Sequence, residues 1–268
     1  MFPQAQFTDK DYLRGDQYKN ASNLSARAYL HKHYSTNPYG WMKWMFEQID
    51  LPAEAHLLEL GGGPGWLWAD NAARIPAGWD ITLSDFSAGM VAEAERNLAN
   101  ADHKFTFKVI DIQHIPFDDE TFDGVIANHM LYHVPDRALA IREVHRVLKP
   151  GGIFFAATNG HNHLNELHDL VDRFLETALD HNLARAFELE NGAAQLGQVF
   201  PQVKMRRYED SLEVTDVEPL VQYILSTVSL SQFVNNRLDA LRTMLAQEIA
   251  QHGAVRIQKD AGVFIAAK

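Results

Sequence analysis

The stretch Leu57-Leu58-Glu59-Leu60-Gly61-Gly62-Gly63-Pro64-Gly65 decides how this chain folds. A short apolar run closes on an acid, and glycines at the alternating positions 61, 63 and 65 then lead into a helical pattern. Glycine lacks a Cβ, so the backbone here can take positive φ and come close to a ligand. A strand that stops in such a loop and restarts as a helix aims its amide N–H groups at whatever is bound. The segment therefore places a nucleotide-like ligand at the end of the first strand.

Spacing decides between two kinds of loop. A dinucleotide loop reads G-x-G-x-x-G, with an acid about 20 positions later for a ribose. Counting from Gly61 puts Trp66 where the third glycine belongs, and counting from Gly63 puts Trp68 there. An indole cannot allow the close helix–strand contact that this glycine provides, so a nicotinamide dehydrogenase is disfavoured. What stands is E-x-G-x-G-x-G, from Glu59 to Gly65.

Outward from the loop, β-rich runs alternate with helical patterns, the mark of a parallel sheet covered on both faces. His56–Leu60 is the first strand, and a helix is expected from about Trp66 to Ile75. Trp79–Asp85 is the second strand, and Ser87 is placed to cap the helix Ala88–Asn100. Lys104–Ile110 and Thr121–Asn128 are the third and fourth strands. Asp136 opens a helix that Lys149-Pro150-Gly151-Gly152 stops, and Ile153–Thr158 is the fifth strand. A mostly helical insert follows over residues 160–200, then a strand over Val203–Val214 and helices over Pro219–Ser226 and Arg237–Gln251. The last residues read as a β-segment, a turn at Asp260–Gly262 and a final strand. Three successive strands end on an acid at one edge (Glu59, Asp85 and Asp111), and Asn128 joins them from the fourth. Ligands of open parallel sheets bind outside these carboxyl ends.

Composition narrows the partners. A net charge of −11 weighs against a polyanion such as RNA or DNA, since phosphate neutralisation supplies most non-specific affinity there. Cysteine is absent, which excludes disulfides, thiolate metal sites and a thiol nucleophile. No apolar run is long enough to cross a bilayer, and Met1–Gln6 lacks the regions of a signal peptide. The expectation is a soluble, cytoplasmic protein without nucleic-acid or membrane partners.

The E-x-G-x-G-x-G loop resembles the first motif of the class I S-adenosylmethionine methyltransferases. Leu83-Ser84-Asp85-Phe86-Ser87-Ala88-Gly89-Met90 looks like the second-strand segment of that family, and Asp111 matches its acid after the third strand. Asn128-His129-Met130-Leu131-Tyr132-His133-Val134 is similar to its fourth-strand exit, and Leu148–Gly152 to its turn into the fifth strand. The resemblance covers about residues 55–158 and the terminal strand, and is nearest the small-molecule branch of quinone-biosynthesis methyltransferases. It implies a Rossmann-like α/β fold with a seven-stranded sheet whose last strand is antiparallel. It also implies S-adenosylmethionine as methyl donor and S-adenosylhomocysteine as product. On this reading Gly61, Gly63 and Gly65 approach the donor, and Asp85 accepts both ribose hydroxyls. Asp111 takes the adenine amine, Ile112 or Phe86 packs on the ring, and Asn128 completes the rim. Glu59 either fixes the glycine loop or receives the methionine ammonium.

The acceptor side is less defined. His129 and His133 are four apart and share a face if their segment is helical. With His161 and His163 they read either as a base or metal group or as hydrogen-bonded cleft histidines, and no third ligand is fixed by spacing, so no metal is expected. Tyr132 suits either the acceptor pocket or the core. Residues 1–50 are helical and aromatic-rich, and Tyr18, Arg27, His31, Tyr34 and Trp41 suit a lid over the donor site in residues 51–268. The alternative for them is an amphipathic helix pair packed on the sheet. The function expected is methyl transfer to a small molecule; transfer to RNA or protein, or donor binding without catalysis, are the other readings.

Overall fold

The computed structural model describes residues 8–9, 15, 22–179, 181, 183–227, 231 and 233–268. Tyr18 and most of the expected lid before residue 22 lie outside the described residues. Seven strands form one sheet: β1 (Glu54–Leu60), β2 (Gly78–Asp85), β3 (Phe105–Val109), β4 (Phe122–Asn128), β5 (Leu148–Asn159), β6 (Gln202–Val214) and β7 (Val255–Ala267). Their order is β3-β2-β1-β4-β5-β7-β6. The first five run parallel, and β7 lies antiparallel to both β5 and β6. The chain steps outward from β1 to β3 and then restarts at β4 on the other side of β1. The loops after β1 and β4 therefore diverge, and a crevice opens between them.

β1 and β4 are buried on both faces over Leu57–Leu60 and Gly124–Ala127, so burial there does not alternate. Leu58, Leu60, Val125 and Phe154 pack on Ile141 and Val144 of α5 (Arg137–Val147). Leu57, Ile81, Leu83 and Ile126 face the other way. They meet Met45 and Phe46 of α2 (Trp41–Glu47), Trp68 of α3 (Trp66–Ala69), and Ala94 and Leu98 of α4 (Ala88–Leu98). Ser87 caps α4, its Oγ accepting the Met90 N–H at 3.4 Å. A third apolar cluster lies beyond the sheet rim. It joins α1 (Ser22–Tyr34) and α6 (Asn165–Leu175) to α8 (Val217–Ser226), α9 (Leu238–His252) and the early part of β7. The insert also holds the short α7 (Gly192–Leu196).

Two expectations are corrected. The helix after the glycine loop is broken: α3 stops at Ala69, and a 3-10 turn follows at Ala72–Arg74. Asn71 breaks it, because its buried side-chain amide donates to Leu67 O at 2.7 Å and to Met42 O at 3.0 Å and so ties α3 to α2. The turn at Asp260–Gly262 is absent. β7 runs straight through these residues, paired with β6 from Val255 to Ala267. A Cβ at Gly262 would stand 2.5 Å from the Arg206 carbonyl oxygen, so this glycine marks a close strand approach. The fifth strand also begins earlier than expected, at Leu148, with the Lys149–Gly152 segment inside it.

Candidate functional site

The glycine loop leaves β1 with positive φ at Gly61, Gly63 and Gly65. Gly65 turns away from the crevice: a Cβ there would meet Leu98 Cδ1 at 3.0 Å and Leu83 Cδ1 at 3.2 Å. It serves the packing of α4 on β2, whereas Gly61 and Gly63 line the cavity. Beneath the loop lies Glu59, 1% exposed, with Oε2 accepting the Trp68 indole N–H at 2.6 Å. A side chain at Gly62 would collide with this carboxyl at 2.8 Å. Burial pushes the Glu59 pKa up to about 7 against the pull of the Trp68 hydrogen bond, and the Asp85 charge adds to the rise. This bond ties the end of β1 to α3 through Trp68, a partner that the sequence reading missed.

Asp85 ends β2 with both carboxylate oxygens held by backbone. Oδ2 accepts the Gly63 N–H at 3.0 Å, and Oδ1 accepts the Ser87 N–H at 2.8 Å. Burial raises its pKa, while the backbone N–H groups of Ser87, Gly63 and Phe86 oppose the rise. Each oxygen keeps further acceptor capacity toward the cavity. Asp111 sits one strand further out, its Oδ1 accepting the Gln113 N–H at 3.0 Å. Phe86, Ile112 and Met90 give this end of the cavity an apolar wall. Asn128 Oδ1 accepts the Trp41 indole N–H at 3.3 Å, so the fourth strand end and α2 meet directly.

These strand ends open on one cavity of about 1320 Å³. Its roof is α1 and the segment after it, which is stitched to β6. Thr36 N–H donates to Ser211 O at 2.9 Å, Asn37 Nδ2 donates to Glu209 O at 2.9 Å, and Gly40 N–H donates to the Tyr208 hydroxyl oxygen at 3.1 Å. Arg27, His31 and Trp41 line the cavity from this roof. Tyr34 does not; its hydroxyl donates to Asp216 at 2.7 Å, and its pKa is pushed up to about 12 by burial and that bond.

The condition for His129 and His133 to share a helix face is not met. His129 has φ +58, outside any helix, and only Leu131–His133 forms a 3-10 turn. His133 meets the Tyr132 ring edge-on at 4.5 Å, and both line the cavity. The His129 ring lies 4.9 Å from Trp41 and feels the charge of Lys259, which with burial lowers its pKa to about 4. His31 and His163 face each other at 6.2 Å. Burial and Lys259 also hold His31 down, to about 3, and His163 well below the usual histidine range. His163 Nδ1 accepts the Asp260 N–H at 3.2 Å, so the neutral ring carries its proton on Nε2. His161 is exposed, near Glu188. Among the described residues no group of three His, Cys, Asp or Glu side chains could hold a metal ion.

Lys259 and Asp210 are the site residues that sequence reading missed. They are cross-strand partners of β7 and β6, with side chains 8% and 0% exposed. Lys259 Nζ donates to Asp210 Oδ2 and, at 3.0 Å, to Ser35 Oγ. A signal existed. At strand pitch Lys259 falls in line with Val255, Ile257, Ala261 and Val263, all buried, but the turn assigned at Asp260 hid that alternation.

A family model described as a methyltransferase domain matches residues 58–156. The ubiquinone/menaquinone biosynthesis C-methyltransferase UbiE of Geotalea daltonii is 31% identical over 114 residues, covering 42% of this chain and 48% of that protein. The match thus spans about half the length of that relative. Among solved structures, the [4+2]-cyclase SpnF superposes with a TM-score of 0.61 at 18% identity, covering 95% of each chain. Phosphoethanolamine N-methyltransferase 2 of Haemonchus contortus, solved with S-adenosyl-L-methionine, gives a TM-score of 0.58 at 19% identity, covering 97% of this chain and 59% of that one. These two likenesses are of fold. The matched domain ends within β5, so the roof, β6, β7 and the insert lie outside it.

Proposed function

We propose that this chain, whose residues 58–156 match a family model described as a methyltransferase domain, is a class I S-adenosylmethionine-dependent enzyme that moves a methyl group from S-adenosylmethionine to a small-molecule acceptor. The observation that carries the reading is the convergence of Glu59, Asp85, Asp111 and Asn128 with the Gly61–Gly63 loop on one cavity. Asp85 accepts the ribose hydroxyls with lone pairs left over from the Gly63 and Ser87 amides. Phe86 and Ile112 flank the adenine, and Asp111 takes its amine. Glu59 holds the loop in shape from below. A sulfonium donor supplies an already activated methyl, so the protein contributes alignment and water exclusion.

A small acceptor suits the size of the cavity. Pockets for one drug-sized ligand reach about 1,000 Å³, so about 1320 Å³ accommodates a donor with a second molecule beside it. Tyr132 and His133 stand at the fourth-strand exit as the residues to meet that acceptor. Isothermal calorimetry with S-adenosylmethionine and S-adenosylhomocysteine, followed by transfer of labelled methyl across an acceptor panel, tests the reading. Binding of both and label in a metabolite fraction are expected; absence of binding overturns it.

A further inference from the structure

The lining of the cavity carries two sets of polar side chains. Glu59, Asp85 and Asp111 stand along the strand ends. A second wall, rich in nitrogen donors, is formed by Arg27 and His31 of α1, His129 after β4, His163 after β5 and Lys259 of β7. The carboxylates near this second wall are otherwise engaged: Asp210 is bonded to Lys259 and Ser35, and Asp172 of α6 is bonded to His181 at 2.6 Å. Asp169 is exposed, and His168 stacks on His181. Tyr223 of α8 meets the His31 ring edge-on at 6.0 Å.

Hydrogen-bonding capacity is left over at that wall. His31 Nδ1 is buried with no partner among the described residues. Such a group loses its solvation with nothing in return unless a ligand answers it. Lys259 has three N–H donors, and Asp210 and Ser35 take two of them. His163 carries its proton on Nε2, because Nδ1 is occupied by the Asp260 amide.

We propose that the acceptor is an anion, and that its acidic group, a carboxylate or a phosphate, seats between the Lys259 ammonium and the imidazoles of His31 and His163. The proposal rests on the methyl-transfer reading for the word acceptor, and on this wall alone for the anion. Its electrostatic consequence is specific. Burial, together with the Lys259 charge and the neighbouring rings, keeps His31 and His163 neutral. A bound anion offsets the positive part of that field and raises the pKa of both rings, so anion binding favours proton uptake as pH falls below 6.5.

The test is calorimetric titration of protein saturated with S-adenosylhomocysteine, using benzoate, inorganic phosphate and, as an uncharged counterpart, benzyl alcohol. Two buffers of different ionisation enthalpy report the proton count. One of the two anions is expected to bind with proton uptake, and which one separates a carboxylate acceptor from a phosphate one. His31→Gln should weaken that binding by about tenfold or more. The paired variant Lys259→Met/Asp210→Leu removes the cation without stranding its partner and should do the same. Equal binding of benzyl alcohol, no binding of either anion, or unchanged affinity in both variants overturns the proposal. So does anion binding that S-adenosylhomocysteine abolishes, which would assign the wall to the donor's own carboxylate. If S-adenosylhomocysteine itself does not bind, the methyl-transfer reading fails, while titration of the ligand-free protein still decides whether the wall takes anions.

Discussion

Asp85 and Glu59 are acids one strand apart, and their surroundings give them different work. Asp85 is bridged to two backbone amides and half-buried at the cavity. Asp85→Ala removes both the loop tether and the acceptor for the sugar, and should weaken S-adenosylmethionine binding by roughly 1.5–3 kcal/mol, on the order of ten- to a hundredfold. An unchanged dissociation constant by calorimetry would refute the ribose assignment. Glu59, with its pKa near 7 in place of the ordinary 4.5, behaves oppositely to a salt-bridged acid. Between these values the folded protein holds a proton that the unfolded chain has released. Its contribution is therefore fully present below about pH 4.5 and lost as pH rises to about 7, a change of roughly 3 kcal/mol. The neutral buried histidines pull the other way, losing stability as pH falls below their ordinary 6.5. Comparing Glu59→Gln with the parent isolates the carboxyl: the variant should gain relative stability from pH 5 to pH 8 in denaturant unfolding. Parallel pH curves for the two proteins would show that Glu59 ionises normally.

Among the elements, the β6–β7 pair carries the two features most sensitive to single changes. Gly262 lets the strands close, and Gly262→Ala places a methyl 2.5 Å from the Arg206 carbonyl. A loss of about 1–3 kcal/mol is expected from such overpacking, and thermal unfolding within 0.5 °C of the parent would show that the strands separate freely. The Asp210–Lys259 pair spans the same ladder with both side chains out of solvent. Lys259→Met alone strands a buried carboxylate and should cost about 3–5 kcal/mol, whereas adding Asp210→Leu should restore most of it. Equal losses in the single and paired variants, measured by urea unfolding, would mean that the pair acts through packing alone. Asn71 shows the same principle in miniature, since one side-chain amide ends α3 and anchors α2.

At the scale of the whole molecule, a parallel sheet with its crevice at β1 and β4 is roofed by helices drawn from both ends of the chain. α1 packs with α6, α8 and α9, and the residues after it are stitched to β6. The segment after α1 is held to the edge strand β6 by a few hydrogen bonds, and such a strap is suited to open and close over a ligand. Hydrogen exchange across residues 22–47 should therefore slow on addition of S-adenosylhomocysteine, by more than in α5 on the far face. Uniform protection, or none in the roof, would show that it does not respond to the donor.

Local chemistry made the sheet, the glycine loop and the strand-end acids readable in sequence, because each depends on neighbours within a few residues. Asp136 and Ser87 cap the helices they precede, and the apolar-rich runs of β1 and β4 are the central strands. The misread segments are those settled at long range. Gly262 has the composition of a turn and the surroundings of a strand, and His129 has helical spacing to His133 but a left-handed backbone. Sequence by itself determined the fold and the rim of acids and glycines at the strand ends. Only the tertiary structure decided the opposite wall, where Ser35, His31, His163, Asp210 and Lys259 meet from distant segments. A charged pair can leave water only when the register of two strands makes its partners adjacent, and that register is a property of the folded sheet.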